Sequence, residues 1–303
     1  MGQGHFALQA VAGAVWWILV FASVDVRRWT LGNWNHKLLA MPDLLFFVGA
    51  SAFTAWRKPR WALGVVGIWT AAMTSALVIY ALVTRHAGWG AVIMVVALVG
   101  TVTAALTLWH GTLPVDWFFV GPFTFRPAQD HEPGRHLATS LAQLVVFWTF
   151  FLLILPSVLA WIEHRIRMDW SALDHRAAAP VGLALFLAAS CLGLWSCLTM
   201  ALRGEGTPLP AATARKLVVS GPYCYVRNPM AVAGALQTLG VALMFGAWSV
   251  VSIAIVGALV WNVIIRPAEE SDLADRFGSS YEHYCRRPLL AARRPLVVFR
   301  GSH

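Results

Sequence analysis

LVVSGPYCYVRNPM, residues 217–230, stands where a polar, arginine-bearing stretch gives way to two long apolar runs. The residue before a proline is pushed out of the α region, proline suits the first helical position, and asparagine is among the best N-caps. Arg227-Asn228-Pro229-Met230 therefore predicts a helix capped by Asn228, starting at Pro229 and running through Leu243. Gly221-Pro222 predicts a turn just upstream that brings Tyr223 and Tyr225 back toward the helix start. Free N–H groups and a partial positive charge at that N-terminus suit a carboxylate or a phosphate. The same pieces also fit an ordinary turn into a membrane helix with interfacial aromatics.

Outward from this stretch the chain is apolar: 58% hydrophobic and 12% charged over 303 residues, with a mean hydropathy of +0.64. A soluble domain carries about a quarter charged residues, and a helix needs about 20 apolar residues to cross a bilayer. Eight runs approach that length, at 6–24, 39–56, 61–83, 88–109, 137–161, 178–201, 229–246 and 247–266. A membrane β-barrel would show short alternating segments instead. The expected fold is an all-α polytopic transmembrane helical bundle of about eight spans. It ends in a helical hairpin, turned at Gly246-Ala247-Trp248-Ser249, and a cytoplasmic amphipathic helix. The loop at 110–136, rich in proline and glycine, predicts a division into an N-terminal four-span domain, 1–135, and a second domain, 136–303.

The formal charge of +9 is spread over the loops rather than gathered on one face, which argues against nucleic acid as a partner. With the N-terminus inside, 16 Lys and Arg fall in inner segments and 7 in outer ones. That bias predicts both termini on the cytoplasmic side. Twenty Arg against three Lys hints at a GC-rich bacterial genome, and hence a bacterial cytoplasmic membrane. Most of the sixteen Trp lie near the ends of runs, as interfacial anchors do. Cys191, Cys197, Cys224 and Cys285 form neither a CxxC pair nor a zinc spacing, so neither structural disulfides nor a metal centre are expected from them. The first run reads as a retained span rather than a cleaved signal, MGQGHF lacks the myristoylation pattern, and the terminal RGSH reads as a tag remnant.

A second polar cluster follows the last run: Arg266-Pro267-Ala268-Glu269-Glu270-Ser271-Asp272-Leu273, continuing to Phe277-Gly278 and Tyr281. Pro267 reads as a first helical residue, with Glu269 and Glu270 in the first turn, where the dipole favours anions. Leu273, Phe277 and Tyr281 make a stripe at a spacing of four, and Glu269 heads it.

The two clusters, bracketing a short helical hairpin, resemble the isoprenylcysteine carboxyl methyltransferase and phospholipid methyltransferase superfamily. The resemblance rests on Gly204-Glu205-Gly206-Thr207-Pro208, Leu217-Val218, Gly221-Pro222-Tyr223, Tyr225 to Met230, Glu269-Glu270, Leu273, Phe277-Gly278, Tyr281 and Tyr284, and covers about residues 178–290. It implies an integral-membrane enzyme that moves a methyl group from S-adenosyl-L-methionine to a lipophilic acceptor. The cofactor contacts it implies are Arg215, Lys216, Leu217, Val218, Tyr223, Asn228, Pro229, Met230, Ala231 and Glu269. Arg266, one position from the family's place, stands for the substrate-contacting arginine. Cys224 replaces a common basic residue, Ala231 a common aromatic, and Asn228 the histidine of prenylcysteine enzymes, which points to another lipid acceptor. The implied partners are membrane lipids and a lipophilic substrate; the oligomeric state is left open.

Two other functions compete. A nicotinamide-dependent sterol or lipid reductase shares this C-terminal hairpin, but carries His-Pro-Asn-Tyr or His-Asn-Tyr after the arginine, which this chain lacks. A transporter or non-catalytic scaffold would be marked by midplane charges or broken helices in paired halves, and none stands out. His131-Glu132-Pro133-Gly134-Arg135-His136 has HExxxH spacing with Pro and Gly inside, which does not place both His on one helix face as zinc requires. His110 reads as interfacial, and Asp43, just after Pro42, as a first-turn carboxylate. Neither a P-loop nor GxGxxG occurs.

Overall fold

The structure is a computed structural model and describes residues 2–112, 114, 119, 124, 128, 133–168, 175–207 and 212–286. The described residues are overwhelmingly helical and include no β-strand. The helices are α1 (Gly2–Ala22), α2 (Val24–Leu31), α3 (His36–Asp43), α4 (Ala50–Arg57), α5 (Arg60–Thr84), α6 (Gly88–His110), α7 (Pro133–Trp148), α8 (Leu155–Arg165), α9 (His175–Gly204), α10 (Pro229–Phe245), α11 (Trp248–Val260) and α12 (Arg266–Arg286). Three π-helical stretches, Leu44–Gly49, Thr149–Ile154 and Trp261–Ile265, join α3 to α4, α7 to α8 and α11 to α12 without a break.

Seven helical stretches are long and apolar enough to cross a membrane, which makes this an integral membrane protein with an all-α polytopic bundle. The remaining apolar helix, α10, has 17 residues. At 1.5 Å per residue it reaches about 26 Å, just under the ~30 Å of a bilayer core. The turn between α10 and α11 is shorter than expected. Gly246 takes a left-handed φ of 60° and, with Ala247, makes the whole connection.

Two of the π turns have a common cause. Pro156 and Pro267 each fall two residues beyond a π-helical stretch. A proline inside a helix lacks an N–H and crowds the carbonyl four residues back, here those of Leu152 and Val263. The wider π turn opens the helix at that carbonyl. The expectation that a new helix begins at Pro267 is therefore corrected: the chain runs helically through Arg266, whose N–H donates to the Trp261 carbonyl. Glu269 and Glu270 sit inside a continuous helix and gain nothing from a helix N-terminus.

The chain divides into two compact units, residues 1–115 with 161–169, and residues 116–160 with 170–303. In the first, Phe6, Phe47, Ala50, Leu63, Val66 and Ala104 form a core of side chains from α1, α4, α5, α6 and the first π stretch. Gln9 links three of its helices through polar side chains. Gln9 donates to Ser51 Oγ at 3.1 Å, and its carbonyl accepts from Thr101 Oγ1 at 2.9 Å. Asp43 is also corrected. Helix α3 starts at His36, capped by Asn35, so Pro42 is interior and Asp43 is not a first-turn residue. Asp43 is 7% exposed and accepts from the Trp17 and Trp69 indole N–H groups, each at 2.7 Å. An intramembrane carboxylate demands partners of this kind.

The second unit is built on the antiparallel pair α9 and α10. Gly182 and Gly240 bring the two backbones together: a Cβ on Gly240 would lie 2.8 Å from the Gly182 carbonyl oxygen. Small residues permit this in membranes, where dispersion and polar contacts replace hydrophobic drive between helices. Between them, Gln237 donates to Ser190 Oγ at 3.0 Å. Helix α11 closes the layer, burying Val250 against Val241, Ala242 and Ala247.

Candidate active site

Helix α10 begins as its sequence predicts. Asn228 is the N-cap, its Oδ1 accepting from the Ala231 N–H at 3.0 Å, and Pro229 is the first helical residue. Pro229 has no N–H, the Ala231 N–H is taken by the cap, and the Val232 N–H turns to the Asn228 carbonyl. The amide of Met230 is the first-turn donor that no helix bond requires.

The other end of the Asn228 side chain faces α12. Its Nδ2 donates to Glu269 Oε2 at 3.2 Å, across 41 residues of sequence. The α11 span ends at Ile265 before the charged residues begin, so this contact lies at the rim of the apolar layer. Burial pushes the Glu269 carboxyl above its usual range; the Asn228 hydrogen bond pulls it back, and Glu270 and Asp272 raise it again. The neighbouring Glu270 accepts from Arg227 at 3.3 Å and from Arg266 at 3.0 Å. Arg266 also donates to Asn262 Oδ1 at 3.3 Å, so its guanidinium lies along α12 beside Glu270.

Two further ties hold α12 against the loop before α10. Tyr284 donates its hydroxyl proton to the Tyr223 carbonyl at 2.7 Å. Arg276 donates to Thr213 Oγ1 at 2.7 Å, to Asp272 at 2.9 Å and to the Ala214 carbonyl. Arg276 is the tie between α12 and this loop that pattern reading missed. Its spacing of four from Asp272 signals only an ion pair along the helix, and nothing in the sequence says that it reaches across to residues 213 and 214. Leu273 and Phe277 are half-buried along α12, Gly278 breaks the helix at a φ of 49°, and Tyr281 is buried beyond the break.

The loop itself is pinned at Gly204, whose carbonyl accepts from the Arg215 and Lys216 N–H groups at 2.7 and 3.0 Å. The side chains of Arg215 and Lys216 are exposed, with Lys216 paired to Glu205, while Leu217 is half-buried and Val218 buried. Gly206 is required by space: a Cβ there would come within 2.5 Å of Ala214 Cα. Pro208 lies outside the described residues. The turn at Gly221–Cys224 is a 3-10 helix that Gly221 enters with a φ of 61°. The two tyrosines part here, against expectation: Tyr223 is 5% exposed and turned inward, whereas Tyr225 is 57% exposed. A short 3-10 turn presents only one of two residues at that spacing to the interior. Cys224 donates its thiol to the Val219 carbonyl and closes the turn. Pro229 is buried, and Met230 and Ala231 are half-buried beside Asn228.

The second unit also carries an apolar cavity of about 360 Å³, lined by Trp148, Leu152, Phe186, Val241, Met244 and Phe245 among others. It lies 12 to 16 residues along α10 from Pro229, about 18–24 Å at helical rise. Of the remaining sequence candidates, His131 and Glu132 lie outside the described residues. No group of three His, Cys, Asp or Glu placed to hold a metal occurs among the described ones.

No curated protein and no solved structure matches the chain. Residues 178–280 match the family model described as phospholipid methyltransferase. They hold α9, α10, α11 and α12 through the Gly278 break, the elements that bring Asn228 to Glu269. The match covers about a third of the chain and likens the segment from α9 to α12 to a membrane methyltransferase domain of the isoprenylcysteine carboxyl methyltransferase-like superfamily.

Proposed function

We propose that the protein transfers a methyl group from S-adenosyl-L-methionine to a lipophilic acceptor held in the membrane. The observation that carries this reading is the contact of Asn228 with Glu269, which joins the mouth of α10 to α12 at the edge of the apolar layer. The chemistry supplied by the donor is an activated methyl on a sulfonium, which leaves as a neutral thioether and needs neither metal nor covalent nucleophile.

The chain's own residues have two tasks, binding and alignment. Orientation alone accounts for about 7–11 kcal/mol of a bimolecular barrier. The Met230 amide and the positive end of α10 suit a carboxylate. Glu269, held by Asn228, suits an amino group or vicinal hydroxyls, and burial strengthens any hydrogen bond it accepts there. Residues 215–218, Tyr223 and Pro229 to Ala231 are the further contacts of the donor in this reading, with Val218, Tyr223 and Pro229 buried. Arg266 and Arg227 converge on Glu270, which supports reading Arg266 as the substrate-side cation. The acceptor's apolar part has a receptacle in the cavity near Phe186 and Met244, at a distance only a long chain covers. Residues 1–135 then form a membrane domain of their own, residues 136–303 the methyl-transfer domain, and both termini face the cytoplasm, where a water-borne donor is found.

Calorimetric titration of the detergent-solubilised protein with S-adenosylhomocysteine tests this. Wild type should bind, and Glu269→Ala and Asn228→Ala should weaken binding at least tenfold. Unchanged affinity in both variants refutes the site. Stabilisation by NADPH in place of S-adenosylhomocysteine would turn the reading to a reductase, and neither ligand stabilising would turn it to a scaffold. Mass spectrometry of lipid extracts incubated with labelled methyl donor identifies the acceptor.

A further inference from the structure

One end of the first unit gathers cations well in excess of acids. The short helix α2, the start of α3, the end of α5, the start of α6 and the end of α8 meet there. The Asn33 N–H donates to the Tyr80 hydroxyl at 3.1 Å, and a Cβ on Gly32 would lie 3.0 Å from His86 Cβ. Gly90 leaves no room for a Cβ beside the Thr30 carbonyl, and one on Gly88 would lie 2.7 Å from the Ile166 carbonyl oxygen. This end carries Arg27, Arg28, Lys37, Arg85, Arg165 and Arg167. None of the six forms an ion pair among the described residues, whereas Lys216, Arg227, Arg266, Arg276 and Arg286 of the second unit all do. The described acids at this end are Asp25 and Glu163, and Glu163 is 4% exposed.

Two of the guanidiniums are fixed against each other's helices. Arg165 Nη2 donates to the Val83 carbonyl at 3.1 Å, and Arg85 Nε donates to the Arg165 carbonyl at 3.3 Å. Each thus sits at a helix C-terminus, where the free carbonyls balance only part of a charge. Each uses one of its five N–H donors there. Arg27 Nη1 lies 3.2 Å from His36 Nε2, and since a guanidinium cannot accept, the ring nitrogen does. Arg27, Arg85 and Arg165 are half-buried, and Arg28, Lys37 and Arg167 are exposed. The missing complement is an anion, and a phosphate suits guanidiniums whose side chains are already held.

The side chains beside these cations are apolar and open: Trp29 is 57% exposed, Leu38 76% and Val83 68%. Tryptophan next to arginine marks the level of the headgroups. Val83 gives its carbonyl to Arg165 and turns its side chain outward, so an anion on that guanidinium has an apolar surface within reach. A soluble anion has no use for that surface, whereas a phospholipid covers both. We propose that this end of the first unit binds the headgroup of an anionic phospholipid, with Arg85 and Arg165 at its centre and the acyl chains along the exposed apolar side chains. The site gives the N-terminal unit a ligand of its own and does not depend on the methyl-transfer reading.

The test titrates the full-length protein, in an uncharged maltoside detergent, with phosphatidylglycerol, phosphatidylcholine or inorganic phosphate. Apparent affinity is read from the rise in melting temperature. Phosphatidylglycerol should stabilise wild type, and the other two should not. Each cation near a headgroup is worth about fivefold in affinity. Arg85→Gln with Arg165→Gln should therefore bind phosphatidylglycerol about tenfold more weakly or worse. The triple variant Arg28→Gln, Lys37→Gln and Arg167→Gln removes side chains that make no hydrogen bond among the described residues. It should show the same loss, and it carries the comparison if the double variant does not fold. Arg57→Gln, Lys58→Gln and Arg60→Gln, at the junction of α4 and α5, should keep wild-type affinity. No stabilisation by phosphatidylglycerol, or equal stabilisation by phosphatidylcholine or inorganic phosphate, overturns the proposal. So does full affinity in the variants of this end, or an equal loss in the variant at the α4–α5 junction.

Discussion

Replacing Asn228 with serine separates two jobs that one side chain performs. Serine caps a helix about as well as asparagine, so the Ala231 N–H keeps an acceptor, but serine is too short to reach Glu269. The lost bond spans 3.2 Å to a partly buried carboxylate. A hydrogen bond to a charged group is worth about 1.5–3 kcal/mol, or about ten- to a hundredfold in affinity if Glu269 must be held in place to bind. The pH dependence gives a sharper test. The Glu269 carboxyl is raised by burial and held back by Asn228, so without Asn228 it rises further. If ionised Glu269 accepts from the ligand, affinity is full above its raised pKa and is lost as pH falls through it. Calorimetric titrations with S-adenosylhomocysteine over the mildly acidic to neutral range should place that midpoint above the carboxylate's ordinary value in wild type, and higher again in Asn228→Ser. Asn228→Ala should bind like the serine variant but melt lower, by about 1 kcal/mol of lost cap. A midpoint that stays fixed, or moves to lower pH in Asn228→Ser, refutes the reasoning.

Three further substitutions probe the frame around the site. Arg276→Ala removes the ties to Thr213, Ala214 and Asp272 and should weaken S-adenosylhomocysteine binding, while the exposed Arg286→Ala leaves it unchanged; equal effects would show that α12 needs no strap. Trp17→Phe strips one indole donor from buried Asp43 and should cost about 1–3 kcal/mol in detergent thermal unfolding, whereas Trp29→Phe, at an exposed position, should cost far less. Gly240→Ala puts a Cβ 2.8 Å from the Gly182 carbonyl and 2.9 Å from the Phe186 nitrogen. The backbones must then separate, at about 1–3 kcal/mol, and an unchanged melting temperature would deny the close crossing of α9 and α10.

The apolar spans were legible because a bilayer imposes its constraint segment by segment: each run must be long enough and must satisfy its own backbone. The start of α10 was legible for a similar reason, since a cap acts over three residues. The misreadings share one cause. Pro267 carries a valid helix-start signal, yet the π turn before it lets the helix pass through. Asp43 has a valid first-turn pattern, yet its surroundings are set by Trp17 and Trp69, each 26 residues away. Tyr223 and Tyr225 look alike in sequence, and only the packing of the turn makes one a buried group and the other an exposed one.

What the chain's order of residues determines is the membrane character: apolar runs of spanning length, the cap on α10 and the stripe on α12, all matters of near neighbours. The site is a different kind of fact. Asn228 meets Glu269 across 41 residues, Tyr284 meets Tyr223 across 61, and Arg276 meets Thr213 across 63. No local preference encodes such pairs. They exist because α10 and α11 turn back within two residues and α12 continues unbroken past Pro267, which returns the acidic helix to the mouth of α10. Tertiary structure alone decided that Glu269 lies beside a capped helix start and that the Tyr223 hydroxyl is buried with no partner among the described residues.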